Sequence, residues 1–391
     1  MRVLSYFNTA LKITAQYDGK MPLQHYLKQY FAANKKHGSR DRKQITHACY
    51  CYYRLGRALP NQPAEERLKA SLFMCNSEPA EWAALFNTDW IDNWRADIDK
   101  RIAFVALQFE EFNIGDLFQF GQALSAAGDV TAFTVAHLIQ PDLFIRVRPG
   151  FEAAVKQRLA AQSIAYADYG AGCIGLPNAT KTEGLFAINR EAVVQDYSSQ
   201  RVADFFALVP RKPQLKVWDC CAASGGKSIL AKDTLGNIDL TVTDIRPSII
   251  SNLRRRFAEA GIAEYNAAVA DLSKTLQADL LNTNYDLIIC DAPCSGSGTW
   301  GRTPEQLCFF ESSRVDEYAA LQKRIVSNAV TRLSANGYFL YITCSVFERE
   351  NEQVAGFIEQ QCGLALVKKE LLPGYDKKAD SMFAALFRRP L

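Results

Sequence analysis

LKVWDCCAASGGKSIL, residues 215–230, runs from a short apolar stretch through a polar end and two glycines into a helix-like continuation. Such a run, closed by small turn residues, reads as a buried strand feeding a helix. The same texture recurs downstream. DLTVTD (239–244), YNAAVAD (265–271), YDLIICD (285–291) and GYFLYITC (337–344) are apolar runs, each ending in a polar or reactive residue. Helical spacing fills the gaps in SILAKDTLG (228–236), PSIISNLRRRFAEAG (247–261), DEYAALQKRIVSNAVTRLSANG (316–337) and NEQVAGFIEQQ (351–361). A last strand, SMFAALFRR (381–389), follows a C-terminal loop. This alternation predicts an α/β domain over 206–391, a mostly parallel doubly wound sheet with helices on both faces.

Upstream the pattern differs. Residues 1–135 read as all-α: LQHYLKQYFAANKK (23–36), SRDRKQITHACYCYYRLGRAL (39–59) and AEERLKASLFMC (64–75) carry apolar residues at helical spacing. Ser39 is placed to cap the second of these. Between them and the sheet, 136–205 reads as a small α+β linker domain. Its strand Leu143–Arg148 is closed by Pro149-Gly150, then come the helix-like FEAAVKQRLAAQ (151–162) and the Gly-rich ADYGAGCIGLPN (167–178).

Composition narrows the function classes without choosing one. The chain has 391 residues, is 48% hydrophobic and 22% charged, and carries a net charge of +3, so any basic surface must be local. No apolar run reaches the ~18 residues of a membrane span, and the N-terminus lacks the pattern of a secretory signal. The 11 cysteines have no metal-ligand rhythm and are read as free thiols, so no metal is expected and the cytoplasm is the expected compartment.

In a parallel sheet, ligands bind beyond the carboxyl ends of the strands. Asp219, Asp244, Asp271, Asp291 and Cys344 all fall on that edge. In the turn Cys221-Ala222-Ala223-Ser224-Gly225-Gly226-Lys227, small residues let backbone N–H groups approach a ligand, and the helix that follows favours a negative group at its start. A lone Gly-Gly turn needs no ligand, and the spacing before Lys227-Ser228 is not that of a phosphate loop. The second acid decides: Asp244, ending the next strand, suits the two hydroxyls of a ribose, which points to an adenosine-type cofactor without naming it. Asp271 is placed to meet the adenine amino group, or to cap a helix beginning DLSK.

Cysteine is most often a small buried hydrophobe, and Cys49, Cys75, Cys220, Cys290 and Cys362 are assigned that role. Cys294 and Cys344 differ, standing just past two strand ends in DAPCSGSG (291–298) and ITCSVFERENE (342–352). Paired thiols suit one chemistry well. Carbon 5 of cytosine is a poor nucleophile; a thiolate adding at C6 makes it an enamine carbon that can attack a methyl sulfonium. A base must then remove the C5 proton before the thiol leaves. Asp291 is placed to bind the amidine edge of the base, and Lys227 to orient or polarise it. Which thiol attacks stays open on spacing alone.

The DxCAAxGGKS stretch, DAPCSGSG, the TCS followed by an acidic ENE, and VVQDYSSQRVADFF (193–206) together resemble the motifs of the Sun/RsmB-type RNA cytosine-C5 methyltransferases. SRDRKQITHACYCYYRLG (39–56) is similar to the NusB-like RNA-binding domain of some members. The resemblance implies a Rossmann-like, S-adenosyl-L-methionine-dependent methyltransferase domain. It assigns attack to Cys344 and enzyme release to Cys294. It places the cofactor on Cys221 through Lys227 with Asp244, Asp271 and Asp291. Ser224 stands where the family usually has proline, and Gly301 where a basic residue is common, leaving Arg302 to meet RNA.

Lys35, Lys36, Arg40, Arg42 and Lys43, with Arg54, Arg57 and the nearby tyrosines, form a candidate phosphate-binding face on the N-terminal domain. The expected substrate is RNA, ribosomal rather than transfer RNA, bound by a monomer with no membrane attachment. A target base inside a paired region must flip out. The rival readings are a transfer-RNA methyltransferase, a small-molecule or protein methyltransferase, and an RNA-binding assembly factor that keeps the fold without catalysis.

Overall fold

The computed structural model describes residues 2–125, 128–274 and 283–391. They fold as two compact units. One comprises 1–122, 129–140 and 299–311; the other comprises 123–128, 141–298 and 312–391.

The first unit is helical. Leu23–Ala33, Ser39–Arg54, Ala64–Cys75 and Ile98–Gln108 are among its helices. Ile45, Ala48, Cys49, Leu72 and Phe73 project from them into one fully buried core. Ser39 does not cap its helix. Gly38 is the capping residue, and its N–H donates to the Asp41 carboxylate at 3.0 Å, so the longer acid one turn in takes the role expected of the hydroxyl. Residues 299–311 belong to this unit although they follow DAPCSGSG directly in the chain. Trp300, 1% exposed, packs its ring 4.8 Å from Phe310 and 5.9 Å from Phe118.

Arg54 leaves the expected RNA face. It is 2% exposed and donates to the carbonyls of His137 (2.5 Å), Ile139 (3.2 Å) and Gly301 (2.9 Å) and to Gln140 Oε1 (2.7 Å). A guanidinium can be buried here because oxygens meet both of its terminal nitrogens. Tyr53 is buried as well.

The second unit holds two sheets. In the smaller, β1 (Leu143–Val147), β2 (Ala167–Asp168), β3 (Cys173–Leu176) and β4 (Ala192–Val194) run antiparallel in the order β2-β3-β1-β4, beside the helix Glu152–Ala161. Arg146 and Arg148 leave β1 and its end to meet Asp233 at 2.6 and 2.8 Å. Those buried ion pairs fasten the small sheet to the helix Gly226–Leu235.

The larger sheet contains β5 (Leu215–Asp219), β6 (Ile238–Asp244), β7 (Asn266–Val269), β8 (Tyr285–Asp291), β9 (Leu333–Thr343), β10 (Ala365–Leu372) and β11 (Met382–Arg388). Its order is β10-β11-β9-β8-β5-β6-β7; the five strands from β9 to β7 are parallel, and β10 and β11 run antiparallel to their neighbours. This is the expected Rossmann-like arrangement. The central strands are apolar throughout because both faces are covered. Val217, Leu240, Leu287, Ile289, Leu340 and Ile342 pack on one side, while Trp218, Ile288, Cys290, Phe339 and Tyr341 pack on the other.

Two boundaries differ from the sequence expectation. The helix expected to run to 337 is Ser313–Val330, and β9 begins at Leu333. The polar Ser-Ala-Asn-Gly lies within the strand, where a register irregularity with β8 absorbs it. The edge strand β10 falls where the sequence reads as loop. Its LVKKELL alternates in exposure, and the lysines of a sheet edge disguise it as solvent-facing coil.

Candidate active site

Parallel pairing aligns the strand ends. Asp219 pairs across from Val242 and Ile289, and Asp291 from Ile342. Past these ends the chain turns, and the chemically active side chains collect there.

The turn after β5 is shaped by one glycine. Gly225 has φ +83°, and a Cβ on it would lie 2.5 Å from Phe257 Cε1, so both conformation and space demand glycine. It caps the helix Gly226–Leu235. Ala222 N–H donates to the Thr243 carbonyl at 2.9 Å, and Ala223 N–H to Asp244 Oδ2 at 3.1 Å, which draws the loop to the end of β6. Arg256 holds it from outside through Ser224 Oγ at 2.7 Å. Asp244 also receives the backbone N–H and guanidinium of Arg246 at 3.0 and 3.1 Å. Asp271 accepts from the N–H and hydroxyl of Ser273 at 3.0 and 2.6 Å, a turn contact that holds its carboxyl below the usual range.

Beneath the loop, Asp219 is fully buried and accepts from Ser228 Oγ at 2.6 Å; its second oxygen has no partner among the described protein atoms. Burial raises its pKa to about 7. Lys227, 7% exposed, donates to Asp291 Oδ2 at 3.1 Å and to Ser199 Oγ at 2.8 Å. The ammonium is thus directed at the end of β8 and is not a solvated surface charge. Cys220, Cys221 and Cys290 bring three sulfurs within 4.8 Å of one another, a grouping that sequence spacing hides because Cys290 comes from the adjacent strand.

Cys294 and Cys344 are both half-buried, and their sulfurs lie 3.2 Å apart. The Cys294 thiol is pushed well up by its hydrogen bond to Cys344 and by burial, with the Cys344 and Glu350 charges adding to the effect. Gly298 lets the Cys294 loop lie against the sheet: its N–H donates to the Cys344 carbonyl at 2.9 Å, and a Cβ there would collide with Ser381 O at 2.0 Å. The candidate catalytic residues therefore share one edge in two contacting pairs, Lys227 with Asp291 and Cys294 with Cys344.

Residues 205–387 match the family described as 16S rRNA methyltransferase RsmB/F. That stretch, just under half of the chain, is similar to the RsmB/F family. Over 172 residues the chain is 31% identical to the ribosomal RNA small subunit methyltransferase B of Xanthomonas campestris, covering 43% of this chain and 38% of that protein. Over 180 residues it is 31% identical to the Caenorhabditis elegans 26S rRNA (cytosine-C(5))-methyltransferase nsun-1, covering 44% of this chain and 26% of that one. The chain thus spans less than half the length of either relative. A methyltransferase homolog protein from Pyrococcus horikoshii shares the fold with a TM-score of 0.57 and 17% identity, over 74% of this chain and 98% of that one.

Within residues 205–387, serine at 224 in place of the family's usual proline leaves the turn intact and lends a hydroxyl to Arg256. Arg302 belongs to the helical unit with Arg40, Arg42 and Lys43. Arg40 sits 3.5 Å from Glu81. Arg42 donates to the His37 carbonyl at 2.8 Å and lies over the Phe31 ring. Lys43 is exposed. Sequence reasoning left Ser199 and Glu350 without roles. Ser199 lies in the QDYSSQ stretch ahead of residues 205–387 and is the second acceptor for Lys227. Glu350, in the acidic tail after Cys344, is fully buried.

No helix among the described residues is long and apolar enough to cross a membrane.

Proposed function

We propose that this chain is an S-adenosyl-L-methionine-dependent RNA cytosine-C5 methyltransferase acting on ribosomal RNA. The observation that carries the reading is the pair of thiols 3.2 Å apart at the ends of adjacent parallel strands, beside a Gly-rich cofactor-type turn. Methyltransferases acting on small molecules or proteins have no use for two such thiols. The relatives named above, both ribosomal RNA methyltransferases, support the choice of substrate.

The residues present fit the cofactor by their chemistry. The helix start at Gly226 and Lys227 suits its carboxylate, Asp244 its ribose hydroxyls, and Asp271 its adenine, while the unpartnered oxygen of buried Asp219 marks an acceptor near the same loop. When bound, S-adenosylmethionine supplies a methyl group on a sulfonium. The chain's own residues do the rest. Asp291 accepts from the exocyclic amine of the cytosine, and the Lys227 ammonium paired with it offsets the negative charge that builds on N3. Cys344 adds as thiolate to C6, forming a carbon–sulfur bond and turning C5 into the nucleophile that accepts the methyl group. For release, water takes the C5 proton, the electrons of the C5–H bond re-form the C5–C6 double bond, and the Cys344 sulfur departs with its electron pair, a departure that Cys294 assists. The helical unit, with Arg40, Arg42, Lys43 and Arg302, contributes phosphate contacts.

The test uses purified full-length chain with transcribed small-subunit ribosomal RNA. Cys344→Ala is expected to abolish methyl transfer while cofactor affinity stays unchanged. Cys294→Ala is expected to trap an RNA–protein adduct that survives denaturing electrophoresis. Cytosine methylation by Cys344→Ala would sink the mechanism.

A further inference from the structure

Glu350 lies six positions beyond Cys344, in the turn before the helix Glu352–Cys362, and has no solvent exposure. A lone carboxylate at such a depth is costly unless donors surround it. Four do. Its Oε1 accepts the Ser295 N–H at 2.9 Å and Gln322 Nε2 at 3.0 Å; its Oε2 accepts the hydroxyls of Ser295 and Ser345, each at 2.5 Å.

The donors are placed tellingly. Ser295 follows Cys294, and Ser345 follows Cys344. The two loops leave different strands, and one carboxylate bonds to the residue after each thiol. The seat of Glu350 is itself fixed: Tyr341 OH donates to its carbonyl at 2.6 Å, and Gln322 also donates to the Pro293 carbonyl at 3.0 Å. Next to it, Asn351 accepts from Thr343 Oγ1 at 2.6 Å and donates to the Ser345 carbonyl at 2.9 Å. The end of β9 and the turn after it thus form one hydrogen-bonded block, with the Cys294 loop fastened to it through Ser295.

We propose that Glu350 is a positioning residue that clamps the Cys294 loop to the Cys344 loop and so sets the spacing of the two thiols, an inference that rests on the paired-thiol reading of this site. It touches neither sulfur and acts through Ser295 and Ser345. A reaction in which one thiol bonds the base and the other assists its release depends on their separation, because misplacement of a reacting group by an ångström costs rate steeply. Its charge has a second effect. The carboxylate disfavours a thiolate at Cys294 and so helps to keep that thiol protonated while Cys344 attacks.

Glu350→Gln tests this in the full-length chain. Gln keeps the shape but removes the charge and brings an N–H group into a pocket of donors. The expected result is a fall in kcat of about tenfold to a hundredfold, as for a buried donor left without an acceptor, with KM for RNA and cofactor affinity unchanged. Alkylation of Cys294 by iodoacetamide, followed by mass spectrometry across pH, should show its midpoint moved to lower pH. Ser295→Ala and Ser345→Ala each cut one link and serve if Glu350→Gln does not fold; each should lower kcat without changing cofactor affinity. Wild-type kcat in these variants, or an unmoved Cys294 midpoint in folded Glu350→Gln, would overturn the clamp. A wild-type chain inactive on cytosine would overturn the functional reading instead, and the alkylation measurement, which needs no RNA, judges the clamp separately.

Discussion

The sulfur atoms of Cys294 and Cys344 lie 3.2 Å apart, closer than two thiols packed without interaction, yet longer than the ~2.05 Å of a disulfide. Only a small movement separates them from a bond. Diamide, a thiol oxidant, should therefore join them, with the loss of two hydrogens by mass spectrometry. Methyl transfer should stop and return on addition of dithiothreitol, while cofactor affinity holds. Oxidation that leaves both cysteines alkylatable would refute this.

Gly225→Ala should damage the cofactor turn. The added Cβ meets Phe257 in a backbone conformation that alanine resists. A cost of about 1–3 kcal/mol is expected from strain of this kind. It should be visible as a lower thermal midpoint and as weakened cofactor binding by calorimetry. Gly236→Ala, also at positive φ but with open space around it, separates steric clash from backbone strain alone.

Asp219 makes stability depend on pH in a specific direction. Its folded pKa of about 7 stands above the ordinary carboxylate value of 3.8, so between these values the folded chain holds a proton that the unfolded chain has lost. Stability should therefore fall as pH rises from about 4 to 7 and level off above. In Asp219→Asn that contribution to the slope should vanish. Thermal midpoints of the two proteins across this range decide the matter; parallel curves would count against it.

Arg54→Ala removes a buried guanidinium whose four acceptors include two segments distant in sequence, 137–140 and Gly301. Leaving those oxygens without a donor should cost about 3 kcal/mol. Hydrogen exchange should speed up at 137–140 and 299–311. Unchanged exchange there would show that other contacts hold the segments.

The parallel sheet was legible because its strands are buried on both faces: LKVWD and YDLIICD match β5 and β8 from end to end. Where a strand carries charge, as β10 does with Lys368, Lys369 and Glu370, the sequence reads as a loop. Arg54 was read as a surface charge for a related reason: a charged residue at helical spacing looks solvated until the oxygens that surround it are known. Glu350 had a signal in the acidic ENE, but no local pattern assigns a function to an acid whose partners are Ser295, Gln322 and Ser345.

By itself the sequence determined the strand–helix alternation, the Gly-rich turn after β5, and the presence of Asp219, Asp244, Asp291, Cys294 and Cys344 near strand ends. These follow from side-chain periodicity and turn chemistry, which act over a few residues. Tertiary structure alone decided that Lys227 turns to Asp291 and that the two thiols meet. It also decided that one buried carboxylate ties their loops and that residues 299–311 fold with the helical unit. Each of these depends on which distant segments pair and in what register, and such pairing is settled by burial and hydrogen bonding across the whole domain.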